Sequence, residues 1–178
     1  MRIVTIFKTY IAFSALYLII LLAGYETLDL FLKPVLIPLL AFGTYFYRSF
    51  PTKKTLLAAL LFSWIGDVIL LFADIAEIYF ILGLVSFLTA HIIYCVLFNK
   101  QIKTRVHTNK IAFGIGSLLV AFYLIGMLSV LLPSLGDLKI PVTVYASVIS
   151  IMVLFAYNGF FVWKKPGNKY VFIGAIVF

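Results

Sequence analysis

What most constrains this chain is its repeated return to apolar runs as long as a bilayer is thick. A spanning helix needs about 20 mostly apolar residues, and lipid offers its backbone no hydrogen-bond partner. Thr9 to Tyr25 carries no charge. Pro34 to Tyr47 carries none either, and it reaches back to Leu28 if Asp29 and Lys33 lie at the interface. Thr55 to Ala73 holds only Asp67, and Ile78 to Phe98 holds only His91. Ile111 to Leu132 and Ile140 to Trp163 are uncharged, and a last run opens at Tyr170 and is still apolar at Phe178. The expectation is an all-α fold, a polytopic transmembrane helix bundle with six complete helices and the start of a seventh. It forms a single transmembrane domain over residues 1–178.

The connections are short, and Pro51, Pro133 and Pro166 sit in them as helix breakers do. Pro34 and Pro141 fit first-turn positions, with Lys33-Pro34 opening helix 2 at the outer interface. Pro38, four residues further in, is placed to kink helix 2. The last run, nine residues, rises only ~14 Å as a helix, about half a hydrocarbon core. The domain is therefore expected to be C-terminally incomplete.

Composition removes the soluble alternatives. The chain is 65% apolar and 11% charged over 178 residues, whereas soluble domains are nearer half and a quarter. The net charge of +8 does not point to nucleic acid, because the basic residues lie in short clusters between apolar runs. One side of the membrane collects Arg2, Lys8, Arg48, Lys53, Lys54, Lys100, Lys103, Arg105, Lys110, Lys164, Lys165 and Lys169. That is twelve of the fourteen basic residues. The other side holds Lys33 and Lys139 with Glu26, Asp29, Asp74, Glu77 and Asp137. Lysine and arginine collect on the cytoplasmic side, so the N-terminus is expected there, in the inner membrane if the source is bacterial. The charge also attracts anionic lipid. Arg2 and Lys8 precede an apolar stretch that is long for a signal core, and no A-x-A-like cleavage site follows, which reads as an uncleaved first helix. Cys95 is the one cysteine, so no intrachain disulfide forms, and it reads as a small core residue.

Asp67 is the most informative residue. A central Asp costs a spanning helix about 2.5–3.5 kcal/mol, against about 0.3–0.6 kcal/mol returned by each large aliphatic or Phe. Such residues face a bundle interior or wet cavity and are functional candidates by default. No cation in the sequence obviously pairs with it. A carboxyl left in that setting favours its protonated form, the one a general acid needs. The competing reading is a structural carboxyl bonded to a neighbouring helix. Ser63, Gly66, Asp67 and Leu70 share one helix face. Ser63 reads as a partner of Asp67 or of its own backbone, and Gly66 as a point of close approach, chiefly for packing. On helix 4, Gly83, Phe87, His91, Tyr94 and Phe98 form one stripe. His91 is either a satisfied packing histidine or a site residue. Tyr145 and Asn158 in helix 6 both suit interhelical bonding. Lys33 either snorkels or meets a lipid phosphate. His107 sits in a basic loop. No metal-ligand constellation is visible, and no cofactor is implied. Serine-hydrolase, zincin and nucleotide-loop motifs have no counterpart here.

Taken in order, Lys33-Pro34, Phe62-Ser63-Trp64-Ile65-Gly66-Asp67, Gly83 through Phe87 to His91 and Tyr94, and Gly174-Ala175-Ile176-Val177-Phe178 resemble a known pattern. The chain resembles the lysoplasmalogenase family of membrane proteins, also called YhhN-like, over its whole length. The pattern has a Lys-Pro before helix 2, Ser-x-x-Gly-Asp in helix 3, Phe-x-x-x-His-x-x-Tyr in helix 4, a Tyr in helix 6, and Gly-Ala-x-x-Phe leading to a second Ser-Asp in helix 7. The resemblance implies eight helices, with that second Ser-Asp, and hence a second catalytic carboxylate, beyond Phe178. It implies hydrolysis of the vinyl ether of a lysophospholipid substrate, giving a fatty aldehyde and a glycerophospho-head group. Asp67 would then be catalytic, with Ser63, His91 and Tyr94 around it and Lys33 and Tyr145 nearer the substrate. The 178-residue chain alone is expected to lack that activity. Two other classes compete: a small proton-coupled transporter, since a membrane carboxyl is also a relay signature, and a non-catalytic assembly partner. No internal repeat favours the transporter.

Overall fold

A computed structural model describes residues 2–24, 26–102, 110–163, 165 and 167–177. Among them it is helical apart from short connections. The helices are α1 (Arg2–Leu22), α2 (Glu26–Phe46), α3 (Lys53–Leu70), α4 (Glu77–Ile102), α5 (Lys110–Leu131), α6 (Lys139–Val162) and α7 (Gly167–Val177). Two tight three-residue helical turns, Leu132–Ser134 and Gly136–Leu138, join α5 to α6. Lys103, Arg105, His107, Lys164 and Pro166, used in the sequence reading, lie outside the described residues.

Four segments are long and apolar enough to cross a membrane: Thr5–Leu22, Glu77–Ile102, Lys110–Ser134 and Gly136–Val162. α2 offers a shorter apolar stretch, Leu32–Phe46, and α3 carries Lys53, Lys54 and Asp67 within its 18 residues. These two therefore depend more on packing against neighbours than on their own hydropathy. α5 buries none of its residues, and Phe122 and Tyr123 are 73% and 71% exposed. Side chains so apolar and so open call for lipid rather than water as their surroundings.

The chain divides into two compact units, residues 1–90 and 91–178, with the division inside α4. In the first unit α1 packs on α2 and α2 on α3. The turn from α2 to α3 is closed by Lys53, whose Nζ donates to the carbonyls of Tyr45 (2.6 Å) and Tyr47 (2.7 Å). It also lies 5.6 Å from the Tyr45 ring centroid. A helix leaves its last carbonyls without partners, and a cation there satisfies them and the dipole together. The Ser86 hydroxyl, on α4, donates to the Phe62 carbonyl of α3 at 2.7 Å.

In the second unit α5 packs on α6 and α6 on α7. The Tyr157 hydroxyl donates to the Ala112 carbonyl at 3.0 Å. The Tyr157 ring fills the space a side chain at Gly116 would need, stacks on Phe113, and meets Phe172 of α7 at 5.3 Å. Asn168, 3% exposed, donates from Nδ2 to the Phe160 carbonyl at 2.7 Å and accepts the Lys169 amide on Oδ1. Each bond removes a polar group that lipid would leave unsatisfied.

Two expectations about element ends are corrected. α2 begins at Glu26, so Pro34 lies inside the helix, not in its first turn, and α2 runs through both Pro34 and Pro38. Lys33 is accordingly seven residues into the helix, about 10 Å along its axis. α3 ends at Leu70, and tighter turns follow, Leu71 donating to Val68 and Phe72 to Ile69. Asp67 therefore sits in the last turn of α3, about 4.5 Å from its end, shallower than its place in the apolar run implied. Pro141 does fall in the first turn of α6.

Candidate functional site

In the first unit the site is built on α3. Glycine at 66 allows α4 to approach: a Cβ there would lie 2.7 Å from Cδ2 and 2.8 Å from Cε2 of Phe87. Gly83 on α4 performs the reciprocal service for Leu70, whose Cδ2 would lie 2.7 Å from an added Cβ. The two glycines interleave the helices, the small-residue mode of packing in membranes. Asp67 follows Gly66 directly and is partly buried.

Ser63, one turn before Asp67, is 1% exposed, and its Oγ has no hydrogen-bond partner among the described residues. This departs from the habit of most other helical hydroxyls. Ser14, Thr44, Ser117, Ser147 and Ser150 all donate to the carbonyl four residues earlier. Ser63 bonds neither to its backbone nor to Asp67, the two partners its sequence position offered. A buried hydroxyl left unsatisfied costs about 1–3 kcal/mol.

The sequence showed no cation in obvious reach of Asp67. α2 packs on α3, and its Lys33 is within electrostatic range of the Asp67 carboxyl. One bond joins the two helices close by: Trp64 Nε1 donates to the carbonyl of Pro34 at 2.8 Å. Pro34 follows Lys33, and Trp64 precedes Asp67 by three residues, one helical turn. In the sequence Trp64 stands only as an unassigned residue within the stretch 62–67. The signal was present in the prolines: Pro38 has no N–H to give to the carbonyl of Pro34, so that carbonyl needed a donor from elsewhere.

The second unit holds the remaining predicted residues. His91 is fully buried and meets the ring of Tyr145, from α6, edge-on at 5.4 Å and 84°. Tyr94 stacks on Phe98 of its own helix at 6.2 Å, and Phe98 packs on Trp163 at 5.6 Å. The later part of the α4 stripe, from His91 to Phe98, is thus drawn into aromatic packing with Tyr145 and Trp163. Among the described residues no three His, Cys, Asp or Glu side chains gather to hold a metal ion. An open hollow of about 620 Å³ is lined by Tyr45, Phe50, Lys53, Lys54 and Leu57. It lies at the opposite end of α3 from Asp67 and contains none of the predicted site residues.

An all-helical bundle with several membrane-length segments and an acid–hydroxyl pair on a glycine-packed helix defines a polytopic membrane protein. Its family follows from comparison: the model of the YhhN family matches residues 28–178, and the chain belongs to that family. No curated protein and no solved structure matches it.

Proposed function

We propose that this protein is a membrane-embedded hydrolase that cleaves the vinyl ether of lysoplasmalogens by carboxyl acid–base chemistry, with Asp67 as its working carboxyl. The observation that carries the reading is the pair on α3: a carboxyl one turn from a buried serine hydroxyl that has no partner among the described residues. Family membership supports it.

The chemistry suits such a pair. A proton delivered to the β-carbon of the vinyl ether leaves an oxocarbenium ion at the α-carbon. Water adds there and loses a proton, and the hemiacetal collapses to a fatty aldehyde and the glycerol hydroxyl. Protonation and water attack need an acid and a base in turn, as in paired-carboxylate glycosidases. Asp67 takes one of those roles. The other role calls for a second carboxylate, as the family resemblance implies. The Ser63 hydroxyl offers a contact to water or to the ether oxygen, and the Lys33 ammonium a contact to the head-group phosphate. His91, Tyr94 and Tyr145 are assigned to substrate contacts. In the proposed orientation the N-terminus is cytoplasmic, which puts the Asp67 end of α3 toward the outer face of the cell membrane.

The test is fatty aldehyde release from a lysoplasmalogen in detergent micelles, by the full natural protein. Aldehyde should appear with that protein and fall to background with Asp67→Asn, which keeps the shape and cannot deliver a proton. A lysophospholipid carrying an ester in place of the vinyl ether should survive, because it has no alkene carbon to protonate. Fatty acid release from the ester at a comparable rate would point to an ordinary esterase and end the vinyl ether reading.

A further inference from the structure

We propose that Trp64 is a positioning residue: its indole N–H takes over the hydrogen bond that Pro38 deletes from α2 and thereby holds Lys33 in register with Asp67. The inference rests on the reading of Asp67 as the working carboxyl, and it concerns how that carboxyl acquires its charged neighbour.

In an unbroken helix the Pro34 carbonyl accepts from the N–H of residue 38. Residue 38 is proline and has no N–H. In lipid an orphan carbonyl costs far more than in water. The donor that satisfies it comes from another helix, Trp64 Nε1 at 2.8 Å. A bond inside α2 would fix nothing outside α2. This bond ties the rise of α2 to the rise of α3, at the turn where each helix carries its charged residue. Lys33 is one residue from the acceptor, and Asp67 is one turn from the donor. α2 has also lost two rungs of its own ladder there, to Pro34 and Pro38, so the segment bearing Lys33 has little internal stiffness. The neighbouring part of α4 offers Gly83, Ser86 and Phe87 to α3, none of them ionisable. Among the described residues, Lys33 is the charged group on the packed elements that bears on the Asp67 carboxyl.

Two functions of the bond are separable by experiment. Satisfying the carbonyl is a stability function, which Pro38→Ala can take over by restoring the backbone donor. Registering α2 on α3 is a positioning function, which Pro38→Ala cannot restore. The variants are Trp64→Phe, Pro38→Ala and the double Trp64→Phe/Pro38→Ala, in the full chain in detergent. Stability is read as the thermal midpoint. The environment of Asp67 is read by infrared titration of the protonated-carboxyl band that Asp67→Asn removes, with Lys33→Met as the reference for loss of the cation.

Trp64→Phe should lower the thermal midpoint, and lower it less when combined with Pro38→Ala. With or without Pro38→Ala it should move the Asp67 titration in the same direction as Lys33→Met, by at least half as much, while Pro38→Ala alone leaves it in place. If Trp64→Phe is too unstable to titrate, the double variant carries the same measurement. An Asp67 titration unchanged by loss of the indole, or already insensitive to Lys33→Met, overturns the proposal. The readout needs no turnover, so an enzyme without vinyl ether activity would end the functional reading and leave this test standing.

Discussion

The face of Gly66 lies against the ring of Phe87, so closely that one added carbon would stand 2.7 Å from the ring. The contact joins α3 to α4 immediately beside Asp67, and it makes the first prediction. Gly66→Ala should destabilise by about 1–3 kcal/mol, the usual cost of overpacking, because the atoms met belong to a ring reaching back to Cγ. Gly83→Ala should cost less, since it meets the far end of a flexible Leu70. Trimming the ring with Phe87→Leu should recover much of the Gly66→Ala loss. Unfolding midpoints of the three variants and the double in detergent check this. A Gly66→Ala protein as stable as wild type would show that the helices do not meet as described.

Ser63 gives a prediction of opposite sign for folding and function. Its hydroxyl is buried and unpartnered, so Ser63→Ala should leave stability unchanged or raise it, by up to about 1–3 kcal/mol if the group is fully dry. Ser86→Ala, which loses the bond to the Phe62 carbonyl, should instead cost about 0.5–1.5 kcal/mol. If Ser63 serves substrate or water, aldehyde release should fall in Ser63→Ala although the protein is no less stable. Loss of stability in Ser63→Ala with turnover intact would make the serine a packing residue.

The second unit is tested at Tyr157. Tyr157→Phe keeps the ring against Gly116 and Phe113 and removes the bond to Ala112, for an expected cost of about 0.5–1.5 kcal/mol. Gly116→Ala places a carbon inside the space of that ring and should cost more, about 1–3 kcal/mol. Equal midpoints for Gly116→Ala and wild type would contradict the packing of α5 on α6.

Orientation is testable without any assay of function. In a background with Cys95→Ser, a cysteine placed at Pro51 should resist an impermeant thiol reagent added to intact cells, and one placed at Asp137 should react. The expectation follows from the twelve basic residues gathered on one side. Labelling at 51 from outside would invert the proposed topology, and the Asp67 end of α3 would then face the cytoplasm.

The helices, their number and their order were legible in the sequence, because in lipid a long apolar run has almost no alternative to a helix. So was the candidacy of Asp67, since a charge within such a run is costly wherever the chain goes. The exact ends were not: α2 begins well before its uncharged run and α3 stops three residues after Asp67, since helix ends depend on local backbone bonds as well as hydropathy. Two relationships were decided only by the tertiary structure. Whether the Ser63 hydroxyl is used or orphaned depends on what its neighbours present to it, and they present no hydrogen-bond partner. Whether Asp67 has a charged neighbour depends on the register of α2 against α3, and one indole bond to a proline-freed carbonyl fixes that register. Hydropathy is a property of a segment by itself, whereas register and satisfaction are properties of pairs, and pairs exist only once the helices are packed.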